Sequence, residues 1–476
     1  MNRKALINGQ EYTLLEILPS LDGGHQQILC EDDSGKRAAC SESLWRGCAI
    51  KDTHTAPIHA HSSSQEKIEF FLSVFKGRED VYARRYHSTA TGKSGYTPVC
   101  KNEWAHGLCD KKKHKCPECP NREFQPLTAE VVKAHLIGRD PFCRDVAAIY
   151  PMLADNRTWL LVADFDEEKW QLDVTAFCKC CREMGLAPAV ERSRSGNGAH
   201  VWCFFSEPVS AADARRLGTS LLTRTMAHRH ELSFSSYDRL FPSQDIVPKG
   251  GFGNLIALPF QGQAQKDGNS LFVDDDFVPY PDQWAFLSSL PKITPEQLEE
   301  CLQKMCRNGD MGELADVTED QAPWKRKRTR QRLMCGDFPL QATLAVSNLI
   351  YLEKNGFSQK ALNSIKRLAA FPNPEFRSKQ AMRLPVYGTP RVLNCGYEDD
   401  DYIGIPRGCM DTLAELLEQH GVPFVIKDLR CVGRPIDVSF NGTLRTEQEP
   451  AAQALLAADM GVLSATTAFG KTVIGA

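Results

Sequence analysis

Two acids that end an apolar run, in Leu160-Leu161-Val162-Ala163-Asp164-Phe165-Asp166, are the residues of this sequence best spaced for chemistry. In a β-strand positions i and i+2 share a face, so Asp164 and Asp166 would project together from the strand end. Carboxylate oxygen is the preferred ligand of Mg²⁺ and Mn²⁺, and paired acids suit the two-ion arrangement of phosphoryl transfer. Downstream, Ser193-Arg194-Ser195-Gly196-Asn197-Gly198-Ala199-His200 reads as a glycine turn feeding an apolar strand. Gly196 and Gly198 permit close backbone approach, and Arg194, Ser195 and His200 offer donors to a triphosphate. Asp238 supplies a third acid, with Asp245 as its rival, because spacing does not separate them. Three carboxylates and a histidine fit nucleotidyl transfer better than a dehydrogenase or a hydrolase triad. The turn Lys249-Gly250-Gly251-Phe252-Gly253 is basic enough to approach a phosphate.

Ahead of these acids stand Cys100, Cys109, Cys116 and Cys119, four thiols whose spacing matches a closed structural Zn²⁺ knuckle. Lys111, Lys112 and Lys113 beside them, with Arg84 and Arg85, are candidate contacts to a nucleic-acid backbone. Near the C-terminal end, Ala465-Thr466-Thr467-Ala468-Phe469-Gly470-Lys471-Thr472 follows the P-loop pattern, with Ala465 in place of its first glycine. There Lys471 would take the β/γ-phosphates and Thr472 the Mg²⁺, while Gln448 upstream resembles the adenine-reading glutamine of superfamily 2 helicases. No acidic partner strand follows Thr472 within this sequence, so a complete ATPase would need further chain.

The elements that must position these groups form a mixed α/β pattern. The order from Arg157 is strand, helix, strand, strand, helix, then strands near SFSSYDRLF and NLIALPF. Alternating residues at 1–60 indicate a small β-rich region, and a helix is expected over Ile68–Phe75. Residues 66–290 then form the catalytic domain with its knuckle at 100–119, 291–332 a helical basic linker, 333–440 a further α/β region, and 441–476 an incomplete helicase start. Hydrophobic residues make up 42% and charged ones 25%, and no apolar run approaches a membrane span, which places the chain in the soluble, cytoplasmic class. A net charge of −3 leaves nucleic-acid attraction to local patches such as Lys325-Arg326-Lys327-Arg328. The 18 cysteines, without an export signal, read as reduced thiols and metal ligands rather than disulfides.

Taken together, DFD at 164–166, SGNGAHVW at 195–202, YDRLFPSQD at 237–245 and GGFGNLIALPFQ at 250–261 resemble the archaeo-eukaryotic primase superfamily. The similarity is to the primases of TOTE conflict systems and to CRISPR-associated primase-polymerases. It implies a primase core with an RRM-like sheet, Asp164 and Asp166 as Mg²⁺ or Mn²⁺ ligands, Asp238 as third acid and His200 on the incoming NTP or dNTP. It also implies extension of a primer on a single-stranded DNA or RNA template, a fused superfamily 2 helicase completed by further chain, and a prokaryotic defence setting. A metal-dependent nuclease and a non-catalytic zinc adaptor for the helicase are the competing readings of the same residues.

Overall fold

The computed structural model describes residues 4–7, 10–18, 27–32, 34–41, 49–50, 56–111, 113–307, 333–386, 388–435, 437–458 and 460–475. Lys112 and the basic run at 325–328 fall outside them. The chain divides into one unit of Met1–Thr225, Leu232–Glu313 and Asn373–Arg391, and a second of Met226–Glu231, Leu314–Pro372 and Val392–Ala476.

The first unit opens with an antiparallel sheet of β1 (Lys4–Ile7), β2 (Gln10–Leu18), β3 (Gln27–Asp32), β4 (Arg37–Ser41) and β5 (Ala49–Ile50), ordered β4-β3-β2-β1-β5. Ile28 and Cys30 form its small buried centre. Helix α1 (Ser64–Val74) follows, started by a capping box in which Ser63 and Glu66 satisfy each other's backbone amides. Next come β6 (Ala83–His87), β7 (Ser94–Pro98), α2 (Ala129–Ile137) and β8 (Ala147–Ile149).

The site-bearing sheet is then built as β9 (Arg157–Phe165), α3 (Trp170–Glu183), β10 (Ala189–Arg192), β11 (Ala199–Ser210), α4 (Ala211–His228) and β12 (Leu240–Phe241). With β14 (Phe272–Val273) on its edge, its order is β12-β9-β11-β10-β14, all antiparallel. This is the β-α-β-β-α-β plan shared by RRM-like sheets, with the first and third strands central. A second sheet runs β13-β8-β6-β7, with β13 at Ile256–Ala257. The short helices α5 (Gly262–Lys266) and α6 (Gln283–Ser288), then α7 (Pro295–Arg307), complete the region.

Both faces of β9 are covered, which is why its sequence is nearly unbroken in apolar residues. Leu160 and Val162 join Trp202 and Phe204 in a core with Phe71 of α1 and Phe75 at its C-terminal cap; Phe75 meets the Trp202 ring edge-on at 5.2 Å. On the opposite face Phe165 packs on Phe177 of α3, and Leu161 lies against α4 at Gly218. The strand period therefore assigns Asp164 to the α1 side, where the apolar core ends.

Two expected strands are not formed as written. Residues Phe234–Asp238 are a 3-10 helix started by the Ser233 hydroxyl, which accepts from the Ser235 amide, and only Leu240–Phe241 pairs with β9. Serine side chains that bond nearby amides compete with ladder bonds, which explains the turn. The NLIALPF segment is extended only at Ile256–Ala257.

In the second unit β15 (Ala342–Val346), β16 (Ile350–Glu353), β19 (Tyr397–Glu398), β20 (Tyr402–Ile405) and β21 (Phe424–Asp428) form a sheet ordered β19-β20-β16-β15-β21. Helices α8 (Gln359–Leu368) and α10 (Met410–Gln419) contribute Leu362, Ile365, Leu413 and Leu417 to its core. A separate pair joins β17 (Ala370–Pro372) and β18 (Val392–Asn394). Helix α9 (Pro374–Ala381) belongs to the first unit, and α11 (Gln448–Leu456) and α12 (Lys471–Gly475) to the second.

Candidate active site

Adjacent strands bring three ionisable side chains into one row. His200 on β11 is the register partner of Asp164 on β9 and of Glu191 on β10. His200 Nδ1 lies 2.9 Å from Glu191 Oε2, and its Nε2 lies 3.7 Å from Asp164 Oδ1. Glu191 is 1% exposed and also accepts from the Trp202 indole N–H at 2.9 Å. A buried carboxylate holding Nδ1–H leaves Nε2 directed toward Asp164.

Sequence reading missed Glu191. Its one signal was an acid following the apolar pair Ala189-Val190 in a short strand. Burial opposes the His200 imidazolium, yet the Glu191 carboxylate by charge and hydrogen bond, with Asp164 behind it, raises the His200 pKa above its ordinary value. The stability this shift contributes is present below the unfolded histidine value of about 6.5 and is lost as pH rises through the folded one. For Glu191→Gln, the alkaline limb of nucleotide affinity is expected to move to lower pH, because the remaining partner favours the cation less. Nucleotide binding titrated between pH 6 and 9 checks it; an unmoved limb would separate His200 from phosphate binding.

The glycine turn closes over the end of β9. Ser193 N donates to Gly198 O at 2.9 Å and Gly196 N to Ser193 O at 2.9 Å, while the Ser193 and Ser195 hydroxyls lie 3.2 Å apart. Gly196 has φ +80°, in the left-handed region. A Cβ on Gly198 would stand 2.5 Å from Phe165 O and 3.1 Å from Asp166 Cα, so this turn rests directly on the acid-bearing backbone. Arg194 reaches Tyr96 of β7, whose hydroxyl it contacts while burial raises the phenol pKa.

Asp166 follows the last residue of β9, is half exposed and pairs with the Arg239 guanidinium. Asp238 Oδ1 accepts from the Arg391 amide at 2.8 Å, and burial raises its pKa against the pull of Arg391. Among the described residues Asp164, Asp166 and Asp238 do not close to within 4.8 Å of one another. Asp245 is engaged differently. Both its oxygens bond the buried Arg215 guanidinium, and Gln380 Nε2 donates to Oδ2 at 2.6 Å. Burial alone would raise the Asp245 pKa, but Arg215 outweighs it and lowers the value.

These two acids therefore part in a mutational test. Asp245→Asn removes the charge from the carboxylate that bonds the buried Arg215 guanidinium through both oxygens and is expected to lower stability in urea unfolding by several kcal/mol, up to roughly 3–5 kcal/mol. The contribution of that ion pair is present above about pH 4 and is lost as pH falls through the lowered folded pKa. Asp238→Asn keeps an acceptor for the Arg391 amide and should leave the unfolding midpoint nearly unchanged.

Cys100, Cys109, Cys116 and Cys119 line one cavity of about 20 Å³, room for a single atom or water. Burial raises the Cys116 thiol pKa. No three of the four sulfurs lie within 4.8 Å of one another among the described residues, a looser set than a closed tetrahedron. Lys111 and Arg84 both pair with Glu103, at 2.6 and 3.4 Å, and Lys113 lies 3.5 Å from Asp110. Lys249 is exposed; its amide donates to Arg383 O at 2.8 Å, and the adjoining Gly250 faces Pro117 of the knuckle rather than the His200 row.

In the second unit Lys471 Nζ donates to Ala465 O and Thr466 O at 3.0 and 3.1 Å, and Gln448 Nε2 to Phe469 O at 2.7 Å. The strand that a P-loop ordinarily follows is not formed at 461–465, and Val462 is 96% exposed. A P-loop strand is held by neighbouring parallel strands, and among the described residues none pairs with Gly461–Ala465.

Residues 66–301, which hold the sheet with its acid row, match a family model of primases. The family is the TOTE conflict system, Archaeo-Eukaryotic Primase domain, and the matched span holds Asp164, Asp166, Glu191, His200, Asp238 and the knuckle, but not the P-loop. The polymerase domain from Mycobacterium tuberculosis Ligase D, solved in complex with DNA, is 13% identical and covers 55% of this chain and 93% of that chain. Its TM-score of 0.27 is too low to inform the site. No curated protein matches. Among the described residues no helix is long and apolar enough to cross a membrane.

Proposed function

We propose that this chain is a primase-polymerase that adds nucleotides to a nucleic-acid strand on a template, with a C-terminal segment of superfamily 2 helicase type, working within a conflict system. The observation that carries the reading is the Glu191–His200–Asp164 row, roofed by the glycine turn, inside the span that matches the primase family. Asp164 and Asp166 offer the hard oxygen donors that Mg²⁺ or Mn²⁺ prefers, and Asp238 is the better third acid because Asp245 is committed to Arg215. Bound ions would supply positive charge that lowers the pKa of the attacking 3′-hydroxyl and offsets charge on the departing pyrophosphate.

The chain's own residues bind and orient the nucleotide. His200, whose Nδ1 is held by Glu191, presents Nε2 to the triphosphate, and Ser195 with the turn amides provides further donors. Arg194, set beside Tyr96, adds a guanidinium at the same turn. The knuckle thiols would take Zn²⁺ in a structural role. Lys471 and Thr472, with Gln448 against the same loop, would serve ATP in the helicase segment.

Incubating a labelled primer–template with Mn²⁺ and either NTPs or dNTPs tests the reading. Lengthened products in one nucleotide set support it, whereas shortening without lengthening would favour the nuclease.

A further inference from the structure

Beside the acid row the first unit holds a cleft of about 940 Å³ whose lining includes Arg84, Arg85, Tyr96, Trp104, Lys111 and Arg144. Its floor is β6 and β7, and the knuckle and α2 form walls. Tyr96 ties one end to the catalytic turn, since Arg194 contacts its hydroxyl and Glu191 acts on it electrostatically. The cleft thus runs from the knuckle to the groups that would hold the nucleotide.

Its aromatic side is unusual for a packed protein. Trp104 is 74% exposed and has φ +62°, a conformation that costs a bulky residue about 1–3 kcal/mol. Lys111 Nζ stands 4.4 Å from the centre of its ring, and Tyr86, on the β6 floor, is 44% exposed. On the rim His87 stacks on Phe142 with 5.1 Å between ring centres and a 6° tilt, and Arg144 approaches the same ring at 5.5 Å.

Glu103 is the other distinctive lining residue. Its side chain is 12% exposed and each of its oxygens holds one cation, Lys111 at 2.6 Å and Arg84 at 3.4 Å. A carboxylate between an ammonium and a guanidinium occupies the position that a phosphate would take.

We infer that this cleft holds single-stranded nucleic acid, with an unpaired base stacked on Trp104 and a backbone phosphate taking Arg84 and Lys111 from Glu103. Open aromatic faces interleaved with cations suit unpaired bases, because stacking needs a base face free and each base has one. A strand held here and passing Tyr96 leads toward the turn that would hold the nucleotide, and we take it as the template. That last identification rests on the primase-polymerase reading; strand binding itself does not.

The test is fluorescence anisotropy with end-labelled oligo-dT and oligo-U on the full chain, without nucleotide or added Mg²⁺ or Mn²⁺. Trp104→Ala is expected to weaken binding by about 5- to 100-fold, the loss of one stacked base, and Trp104→Phe to retain most of it. Trp104 is exposed, so the thermal midpoint should hold. Arg84→Gln should lower the salt slope by about 0.7, one phosphate contact on a single strand. Glu103→Gln, by releasing both cations, should tighten binding severalfold. Unchanged affinity in Trp104→Ala, weaker binding in Glu103→Gln, or a blunt duplex bound tenfold better than the strand would each overturn the inference. Asp164→Asn with Asp166→Asn must bind the oligonucleotides like the parent. If that double variant also extends primers normally, the catalytic reading fails while the cleft stands.

Discussion

Primer extension by Asp164→Asn with Asp166→Asn is expected to fall at least about a thousandfold, which corresponds to about 4 kcal/mol of activation free energy. Asparagine keeps the size of each side chain and removes the anionic oxygen that a divalent ion needs. The fold should barely notice. Asp166 is half exposed, and its pairing with Arg239 is a surface interaction of about 0–1 kcal/mol. Asp164 sits at the limit of the apolar core, whose stability comes from Leu160, Val162, Trp202 and the α1 aromatics. Loss of activity with an unchanged thermal midpoint therefore identifies chemistry rather than folding. Retained activity would reduce the primase region to a binding scaffold.

The second large effect is expected at Gly198. In Gly198→Ala the new Cβ would lie 2.5 Å from the Phe165 carbonyl oxygen, closer than atoms can approach, and the obstructing atoms are backbone. Either the glycine turn lifts or the end of β9 moves, and each response separates His200 and Ser195 from the acids. Overpacking of this kind typically costs about 1–3 kcal/mol. A shift near 1 Å in reacting groups costs about a hundredfold in rate. Gly196→Ala is the contrast. Its φ of +80° imposes strain, but its Cβ would meet the side-chain amide of Asn269, which can rotate aside. Extension should therefore fall far more in Gly198→Ala, with urea unfolding measured for both; equal effects would mean that the close approach to Phe165 is unimportant.

The core of the site was legible because strand geometry is local. An apolar run ending in Asp-Phe-Asp announces its own faces, and the glycine turn before His200 announces a tight return. What pairs with what was not local. The register that sets His200 against both Asp164 and Glu191 depends on three strands drawn from separate parts of the chain. Glu191 alone reads as an ordinary strand charge; only its burial and its contacts with His200 and Trp202 set it apart. Asp238 and Asp245 were inseparable by spacing because the difference between them lies in Arg215 and Arg391, which come from α4 and from residues after α9.

The fold shows the same division. Long periodic elements such as α4 and β9 were readable, whereas the serine-rich segment before Asp238 looked extended and closed into a 3-10 helix through local hydroxyl bonds. The four cysteines were legible as a group, and they do line one cavity. The sequence did not reveal that Glu103 already holds Arg84 and Lys111, nor that Trp104 is left open above a cleft.

The central claim is that Asp164 and Asp166 hold the ions and His200 the triphosphate of one nucleotide. Anomalous diffraction from crystals grown with Mn²⁺ and a nonhydrolysable nucleoside triphosphate tests it most directly. The expected map places manganese in contact with carboxylate oxygens of both Asp164 and Asp166, with a phosphate oxygen at His200 Nε2. Manganese bound elsewhere, or a triphosphate seated away from His200, would contradict it.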